Sequence, residues 1–314
     1  MTAAEILAKY VAQLNFDRLR LGPPRRFIFF CGGKIDSEST RSPSLRDYLS
    51  RHLKGPHAVD DAHFVYAESA TQLYRDTSYN DLIAFEADIA HISDIVLIIG
   101  ESAGSLTELG AFSMNDAIAP RLKIIIQDKY YSEESFIKNG PIRHMEKMRE
   151  DSVSSYPWRL NSKDQKIIAT SASPHLSSIQ QELVERLSQV SAKEKFQRNS
   201  PRHQMIAIFW IVQRLRGAIL KDIGDSLSGF GLNIQQEKIK NFLYCMRVAE
   251  WISEKKYGHY IYYYPLIDRD PFEYAFNSLT SNDPLRMKGD IAADIRRNNL
   301  TPPKAILDLV DAPK

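Results

Sequence analysis

The sequence is poor in cysteine and has no long apolar run. Of 314 residues only Cys31 and Cys245 are cysteines, too few for a disulfide framework, which fits a reducing compartment. No apolar run approaches the ~20 residues that span a bilayer. The first twenty residues have neither the apolar stretch nor the cleavage site of an export signal, so we expect a cytoplasmic protein without a membrane contact.

Two signatures of cofactor and metal chemistry are also missing. No G-x-G-x-x-G follows the first apolar strand, so the usual dinucleotide-binding fingerprint is absent. The eight histidines show no H-x-x-x-H or other metal-ligand spacing. We therefore expect no metal and no cofactor.

The front half of the chain alternates short β-branched or aromatic runs with helical patterns. The runs at 26–31, 62–67, 94–99 and 123–127 predict strands, and the segments 44–53, 81–92 and 105–115 predict helices. Apolar strands separated by helices indicate an α/β fold with a doubly wound parallel sheet. Because ligands of such sheets bind at the carboxyl ends of strands, the loops after Cys31 and Ile99 are the expected site.

The pattern changes in the back half. Helical patterns at 201–216, 218–227 and 234–249 precede two strand-like runs, 251–254 and 259–264, around a predicted turn at 255–258. This order is typical of a winged helix-turn-helix. We therefore divide the chain into an α/β catalytic domain (1–175), a helical linker (176–200) and a winged-helix-like domain with a C-terminal tail (201–314).

Positive charge is concentrated in this back half. Residues 191–265 carry 12 Lys and Arg against 6 Asp and Glu, a net charge of +6, although the whole chain has only +2. The candidates for contacts with nucleic acid or a partner are Lys238, Lys240 and Arg247 on the third helix, and Lys255 and Lys256 at the predicted wing. The alternative is a packing module whose basic face meets a protein or only solvent.

The segment 100–112 is the most informative part of the chain. It leaves an apolar strand, turns on small residues and enters a helix, with Ser102 as a plausible N-cap and Glu108 about one turn inside. A carboxylate there can stabilise an oxocarbenium ion or attack a sugar C1′. The alternative is structural, since a glutamate in the first turn of any helix is favoured by the macrodipole.

Four motifs carry a resemblance to a known family. They are Cys31-Gly32-Gly33, the segment 101–113 (E-S-A-G-S-L-T-E-L-G-A-F-S), Ile126-Gln127-Asp128 and the segment 135–143. In this order they resemble the effector (toxin) proteins encoded beside retron reverse transcriptases. The resemblance covers residues 25–145 closely and 200–265 only in the order of elements. It implies a domain similar to nucleoside 2-deoxyribosyltransferases followed by a winged-helix-like domain.

The resemblance assigns expected roles to individual residues. Glu108 matches the carboxylate that engages C1′, and Gly32 and Gly33 match the glycine-rich turn after the first strand. The loop around the ribosyl unit corresponds to 102–105, which adds Ser102, Gly104 and Ser105 to the substrate-binding set. Glu68 and Asp128 end the second and fourth strands, where they contact ribose or, alternatively, only pack and cap a turn.

One departure from the transferase pattern bears on the substrate. Those enzymes commonly carry an aspartate six residues before the glutamate, which protonates the departing base, and this chain has Ser102 there. A neutral base leaves poorly without an acid, whereas nicotinamide leaves NAD from a cationic ring and needs none. Glu101 or Glu68 remains as an alternative proton donor, with capping or a surface role as the simpler reading.

Three functions follow as expectations. The first is the toxin of a retron anti-phage, toxin–antitoxin-like system that hydrolyses the nicotinamide–ribose bond of NAD and is held inactive by the retron reverse transcriptase and its msDNA, with a higher-order oligomer as a further possibility. The second is an N-glycosidase or deoxyribosyltransferase acting on nucleosides or nucleotides. The third is a nucleotide-sensing, DNA-binding regulator without catalysis.

Overall fold

The computed structural model describes residues 1–60, 62–66, 68, 77–277 and 283–312. The predicted strand residue Ala67 lies outside them. In chain order the helices are α1 (Ala3–Val11), α2 (Leu45–His52), α3 (Leu82–Ile92), α4 (Ala103–Ser113), α5 (Asp128–Ser132), α6 (Arg143–Met148), α7 (Ala169–Ala172), α8 (Leu176–Gln189), α9 (Pro201–Leu215), α10 (Leu220–Leu227), α11 (Gln236–Val248), α12 (Pro284–Arg297) and α13 (Lys304–Asp311). The strands are β1 (Arg20–Leu21), β2 (Phe27–Cys31), β3 (His63–Val65), β4 (Ile95–Gly100), β5 (Leu122–Gln127), β6 (Val153–Tyr156), β7 (Glu194–Lys195), β8 (Ile252–Tyr257), β9 (Tyr260–Pro265) and β10 (Phe272–Glu273).

The chain divides into two compact units. The sheet unit comprises the described residues of 26–69 and 93–190, and the helical unit those of 1–25, 70–92 and 191–314. These units differ from the predicted boundaries at 175 and 200. Residues 1–25 and helix α3, expected in the catalytic domain, pack instead with the C-terminal part of the chain.

The sheet unit is built on a parallel sheet of five strands in the order β3-β2-β4-β5-β6. All four front-half strands that the sequence predicted are present, which confirms the parallel α/β fold. Strands β2 and β4 are buried at every position because both of their faces are covered. The chain order reverses between β2 and β4, so the crevice beside their carboxyl ends is the switch point where ligands of such sheets bind.

The fifth strand, β6, was not predicted. Its sequence, V-S-S-Y, alternates no apolar residues, and the surrounding segment was interpreted as polar and turn-rich. The strand pairs in parallel with β5 at the edge of the sheet, with Val153 beside Ile124 and Tyr156 beside Gln127. An edge strand is half-solvated, so it needs no apolar run and leaves little signal in the sequence.

Helix α8 is part of the core of the sheet unit. Leu176, Ile179, Leu183 and Leu187 belong to the apolar cluster formed by one face of the sheet together with residues of α2. The predicted linker at 176–200 is therefore wrong for residues 176–189. The helical period was recognised, but periodicity alone does not tell which surface the apolar face of a helix will cover.

The helical unit surrounds α9, which is buried along almost its whole length. Helix α1 packs against α10 and α12, and the Tyr10 hydroxyl donates a hydrogen bond of 2.9 Å to Asp294. Helix α3 packs against α9 and α11. A small antiparallel sheet in the order β10-β1-β7 completes the unit.

Helices α9, α10 and α11 and the hairpin β8–β9 reproduce the predicted element order, while the winged-helix assignment itself stays a prediction. The hairpin turn differs from the prediction. Strand β8 extends to Tyr257, and the turn is Gly258-His259, with Gly258 at a φ of +59°. Lys255 and Lys256 therefore lie in a strand, opposite Tyr262 and Ile261, rather than in the turn. A two-residue turn requires positive φ, which glycine adopts without strain.

In the described part of the chain, no helix combines the length and apolar character needed to cross a bilayer.

Candidate functional site

The candidate site lies where β2 and β4 end, and α4 starts there as the sequence predicts. Ser102 is the N-cap of α4, and its hydroxyl accepts a hydrogen bond of 3.1 Å from the Ser105 backbone N–H. The buried Ser105 hydroxyl accepts hydrogen bonds from the backbone N–H groups of Ser102 and Glu101. These bonds form a capping box with serine in place of the usual glutamate. Ser102 and Ser105 therefore shape the loop, and a substrate contact by either stays a prediction.

The sequence of this loop, G-E-S-A-G at 100–104, also matches the nucleophile elbow of serine hydrolases. Such an elbow holds its serine in a strained turn with the hydroxyl presented outward. Here Ser102 has an extended backbone (φ −137°, ψ 158°), and its hydroxyl is engaged with Ser105 and with the Gly32 carbonyl. The motif therefore caps a helix and does not present a nucleophilic serine.

Glu108 is partly buried at the second turn of α4. Its Oε2 atom is buried without a hydrogen-bond partner among the described residues, while the Cys31 thiol hydrogen-bonds to the carboxylate. Burial raises the pKa of Glu108, and the nearby Arg46 guanidinium and Cys31 thiol only partly oppose that rise. The site thus holds a desolvated carboxylate with one oxygen whose hydrogen-bonding capacity is unused by the described residues.

Arg46, on α2, was missed by the sequence analysis. Its side chain is only 4% exposed and forms a bidentate ion pair with Glu68, at 2.8 and 2.6 Å. It also donates 3.2 Å to the Gly33 carbonyl and lies over the Phe30 and Tyr66 rings. The sequence offered one signal for it: Arg46 precedes Leu49 by three residues, which places it at the border of the apolar face of α2. Glu68 therefore holds an arginine in place, and its predicted contact with substrate stays a prediction.

Gly32 and Gly33 are required by packing. A Cβ at Gly32 would lie 2.7 Å from Cδ of Arg46, and one at Gly33 would lie 2.6 Å from Cβ of Ser44. Both distances are far below van der Waals contact, so any side chain would displace α2 from the turn after β2. The glycines let helix α2 and its arginine approach the end of β2.

Glu101 caps the start of α2. Its carboxylate accepts backbone hydrogen bonds from Leu45 (2.7 Å), Arg46 (3.0 Å) and Gly33 (3.1 Å). Burial raises the pKa of Glu101, and the three N–H donors oppose that rise without cancelling it. Of the two alternatives for Glu101, the geometry supports capping, because both carboxylate oxygens are occupied by the backbone.

For two further predicted residues the structure shows no side-chain hydrogen bond or ion pair with another described residue. Asp128 is the first residue of α5 and is partly buried, and Gly104 is exposed in the first turn of α4. A Cβ at Gly104 would meet only the Ser102 hydroxyl, at 3.9 Å. Within the described ranges, no group of three or more His, Cys, Asp or Glu residues is arranged to hold a metal ion.

The five basic residues predicted to contact nucleic acid or a partner fall into two groups. Lys238 donates to both carboxylate oxygens of Asp88, and Arg247 pairs with Glu254 at 2.9 Å, so these charges are neutralised inside the unit. Lys240, Lys255 and Lys256 are exposed. Of the five predicted candidates, these three lysines remain as exposed cations for an anionic partner.

A family model described as STM3845 retron effector protein matches residues 42–254, which include α2, the Glu108 loop, helices α9 to α11 and the start of β8. Two relatives from Escherichia coli match a shorter stretch. The "Retron Ec73 putative ribosyltransferase/DNA-binding protein" is 31% identical over 133 residues, 42% of this chain and 41% of the relative. The "Retron Ec86 putative ribosyltransferase/DNA-binding protein" is 32% identical over 127 residues, 40% of this chain and 39% of the relative.

The chain spans about two-fifths of the length of these curated relatives. The family match is broader, since it extends over more than half of the chain and covers parts of both units. This chain is therefore a member of the STM3845 retron effector protein family.

Proposed function

We propose that this retron effector hydrolyses the N-glycosidic bond between nicotinamide and ribose in NAD, with Glu108 facing C1′. The observation that carries the proposal is the buried Oε2 of Glu108, which no described residue hydrogen-bonds, at the switch point of the sheet. Buried carboxylate oxygens are normally hydrogen-bonded, and an exception costs free energy that a site for a cationic ligand or transition state would recover. A sugar C1′ that develops oxocarbenium character is such a partner.

The choice of NAD rests on the leaving group. Of the two acids that the sequence analysis considered, Glu101 is engaged by three backbone N–H groups and Glu68 by Arg46. Ser102, at the position of the usual acid, has a hydroxyl whose pKa is too high for protonating a base. A leaving group that departs without protonation suits this arrangement, and nicotinamide in NAD departs as a neutral molecule from a pyridinium cation.

The reaction then balances without another co-reactant. The C1′–N bond breaks, and its electron pair neutralises the pyridinium nitrogen of nicotinamide. Glu108 either stabilises the resulting oxocarbenium ion or forms a bond with C1′. Water supplies the new C1′–O bond and releases one proton, giving ADP-ribose.

Transfer of the ribosyl group to an acceptor other than water is the second candidate. It is favoured by one observation, the names of the two relatives, both of which include the words "putative ribosyltransferase". The same carboxylate would serve both reactions, and the products distinguish them. ADP-ribose indicates hydrolysis, and an exchanged base or a ribosylated acceptor indicates transfer.

We further propose that the toxin is held inactive by the retron reverse transcriptase and its msDNA. Membership of a retron effector family supports an association with retron components. Both relatives are also named as DNA-binding proteins, and the exposed Lys240, Lys255 and Lys256 offer a cationic surface for that partner.

The test is mass spectrometry of small molecules after incubation of the purified chain with NAD, dAMP, dCMP and free nucleosides. We expect nicotinamide and ADP-ribose from NAD and no base from the others. Glu108→Gln should lower the rate by at least ~100-fold, since it removes the only proposed reacting side chain. Glu133→Gln, an exposed glutamate of the same unit, is the matched control and should retain full activity.

Three results would contradict the proposal. Base release from dAMP or dCMP with NAD untouched would favour a nucleotide N-glycosidase. Full NAD turnover by Glu108→Gln would remove Glu108 from the mechanism. Tight binding to a specific duplex with no turnover of any nucleotide would favour the non-catalytic regulator.

A further inference from the structure

A cluster of charged groups in the sheet unit lies beside Glu108 and has no role in the hydrolysis described so far. They are Arg46 on α2 and Glu68 after β3, with the Cys31 thiol at the end of β2. Because an arginine side chain that is 4% exposed loses nearly all of its hydration, its placement demands compensation by anions. Glu68 supplies one, and the guanidinium also attracts the Glu108 carboxylate. The loop that leads into the Glu108 helix contacts α2 directly, because the Glu101 carboxylate accepts a hydrogen bond of 3.0 Å from the Arg46 N–H.

The guanidinium is fixed from several sides. Glu68 binds it through two parallel hydrogen bonds, the Gly33 carbonyl accepts a third, and the Phe30 and Tyr66 rings lie within 6 Å of it. The missing Cβ of Gly32 leaves room for its aliphatic stem. Bidentate pairing and ring contacts hold a planar cation in one orientation, which a flexible lysine would not adopt as firmly.

Two polar atoms of this cluster are left without partners. The Nε of Arg46 and the Oε2 of Glu108 are both buried and have no hydrogen-bond partner among the residues described. One is a donor and the other an acceptor, so the cluster contains one buried polar atom of each kind that the described residues leave unbonded. A substrate hydroxyl, which donates and accepts at once, has the chemistry that both atoms lack.

We propose that Arg46 is a positioning residue for Glu108, that Glu68 holds Arg46 in place, and that Arg46 keeps the Glu108 carboxylate ionised beside the ribose of the substrate. This inference rests on the proposed function for its effect on NAD turnover. The effect of Arg46 on the ionisation of Glu108 does not depend on the identity of the substrate.

Charge counting explains why a pair is needed rather than a lone arginine. Arg46 alone would hold Glu108 ionised but would cancel its charge, which disfavours a cationic nicotinamide ring and an oxocarbenium-like transition state. Glu68 neutralises Arg46, so the cluster of Arg46, Glu68 and Glu108 keeps a net charge of −1. The Cys31 thiol, the other group facing Glu108, contributes a hydrogen bond that also favours the ionised form.

The direct test measures the Glu108 carboxyl by carbon NMR of glutamate-labelled protein, with its resonance identified by loss in Glu108→Gln. We expect Arg46→Met to raise the Glu108 pKa by about one to three units, as removal of a close opposite charge does. Glu68→Gln should shift it in the opposite direction, because it removes a like charge. Arg46→Lys, which keeps the charge, should stay near the wild-type value.

Kinetics give the second readout. In Arg46→Met the acid side of the pH profile of kcat should move to higher pH, and at pH 6 kcat should fall by a larger factor than KM rises. In Arg46→Lys the acid side of the profile should lie close to its wild-type position. Arg159→Met, an exposed arginine of the same unit, should leave both the profile and the Glu108 resonance unchanged.

The outcomes separate this inference from the proposed hydrolysis. If Arg46 only packs the Gly32-Gly33 turn, then Arg46→Met and Glu68→Gln will lower the unfolding midpoint but leave the Glu108 pKa in place, and the inference is overturned. If Arg46→Met raises the Glu108 pKa and Glu68→Gln lowers it while NAD is not cleaved, the positioning role stands and the hydrolase proposal fails. If Arg46→Met does not fold, the two other variants decide. A lower Glu108 pKa in Glu68→Gln, together with a pH profile close to wild type in Arg46→Lys, supports the inference, and an unchanged Glu108 pKa in Glu68→Gln overturns it.

Discussion

The Glu101 carboxylate accepts a hydrogen bond of 2.7 Å from the backbone N–H of Leu45, the first residue of α2. Glu101 comes from the end of β4 and thus caps a helix that precedes it by more than fifty residues. The contact ties the loop containing Ser102 to the helix containing Arg46, so the two sides of the candidate site are joined by one buried carboxylate.

Glu101→Gln should destabilise the sheet unit by about 2 kcal/mol, because charge-assisted bonds to three N–H groups are replaced by a neutral amide with a single acceptor oxygen. Chemical denaturation followed by circular dichroism measures the loss. Glu133→Gln is the control and should change the unfolding free energy by less than about 0.5 kcal/mol. Equal stability of the two variants would show that the cap contributes nothing.

Glu108→Gln should stabilise the protein at neutral pH while abolishing activity. Burial raises the pKa of Glu108 in the folded state above its ordinary value of 4.5, so the folded state binds this proton more tightly than the unfolded chain does. Unfolding free energy therefore falls as pH rises through the folded pKa, and a neutral glutamine avoids that fall.

The measurement is the unfolding midpoint of both proteins from pH 4 to pH 8. The advantage of Glu108→Gln should be present at pH 7 and disappear below the unfolded pKa, where wild-type Glu108 is protonated in both states. A variant that is less stable at pH 7 would contradict the raised pKa.

Leu183→Ala should destabilise the sheet unit by about 2–5 kcal/mol, because Leu183 is fully buried in the core cluster and its truncation leaves a cavity. Val184→Ala, on the exposed side of the same helix, should cost less than about 1 kcal/mol. If both variants unfold at the same denaturant concentration, α8 is a linker after all.

Exchanging Lys255 and Lys256 together for glutamine should weaken nucleic-acid binding and reduce the salt dependence of the binding constant by up to about two counterions. Lys238→Gln should leave this slope unchanged and instead lower stability, since Lys238 is bonded to Asp88 at 2.7 and 2.9 Å. Fluorescence anisotropy with labelled single-stranded and duplex oligonucleotides over a salt series measures the slope. A larger loss of slope in Lys238→Gln would reverse the assignment of the two groups.

The sequence predicted those helices and strands that are specified by residues close together in the chain. The four apolar strands, the helix starting near Ser102 and the three helices with their hairpin all appear, because periodicity, capping and turn residues act over a few positions. Strand β6 was not predicted because an edge strand with two serines has no apolar pattern. Arg46 escaped notice since a buried arginine looks in sequence like any polar residue on a helix.

The sequence by itself determined the parallel sheet, the loop that carries Glu108 and the small residues at the turn after β2, because each depends on neighbouring residues. Only the tertiary structure decided that Glu101 is a cap, that Lys238 and Arg247 are neutralised, and that Glu68 holds Arg46 beside Glu108. Except for the pair of Arg247 and Glu254, those assignments depend on partners more than twenty residues away. The charge of a side chain in sequence does not reveal which opposite charge the fold will bring to it.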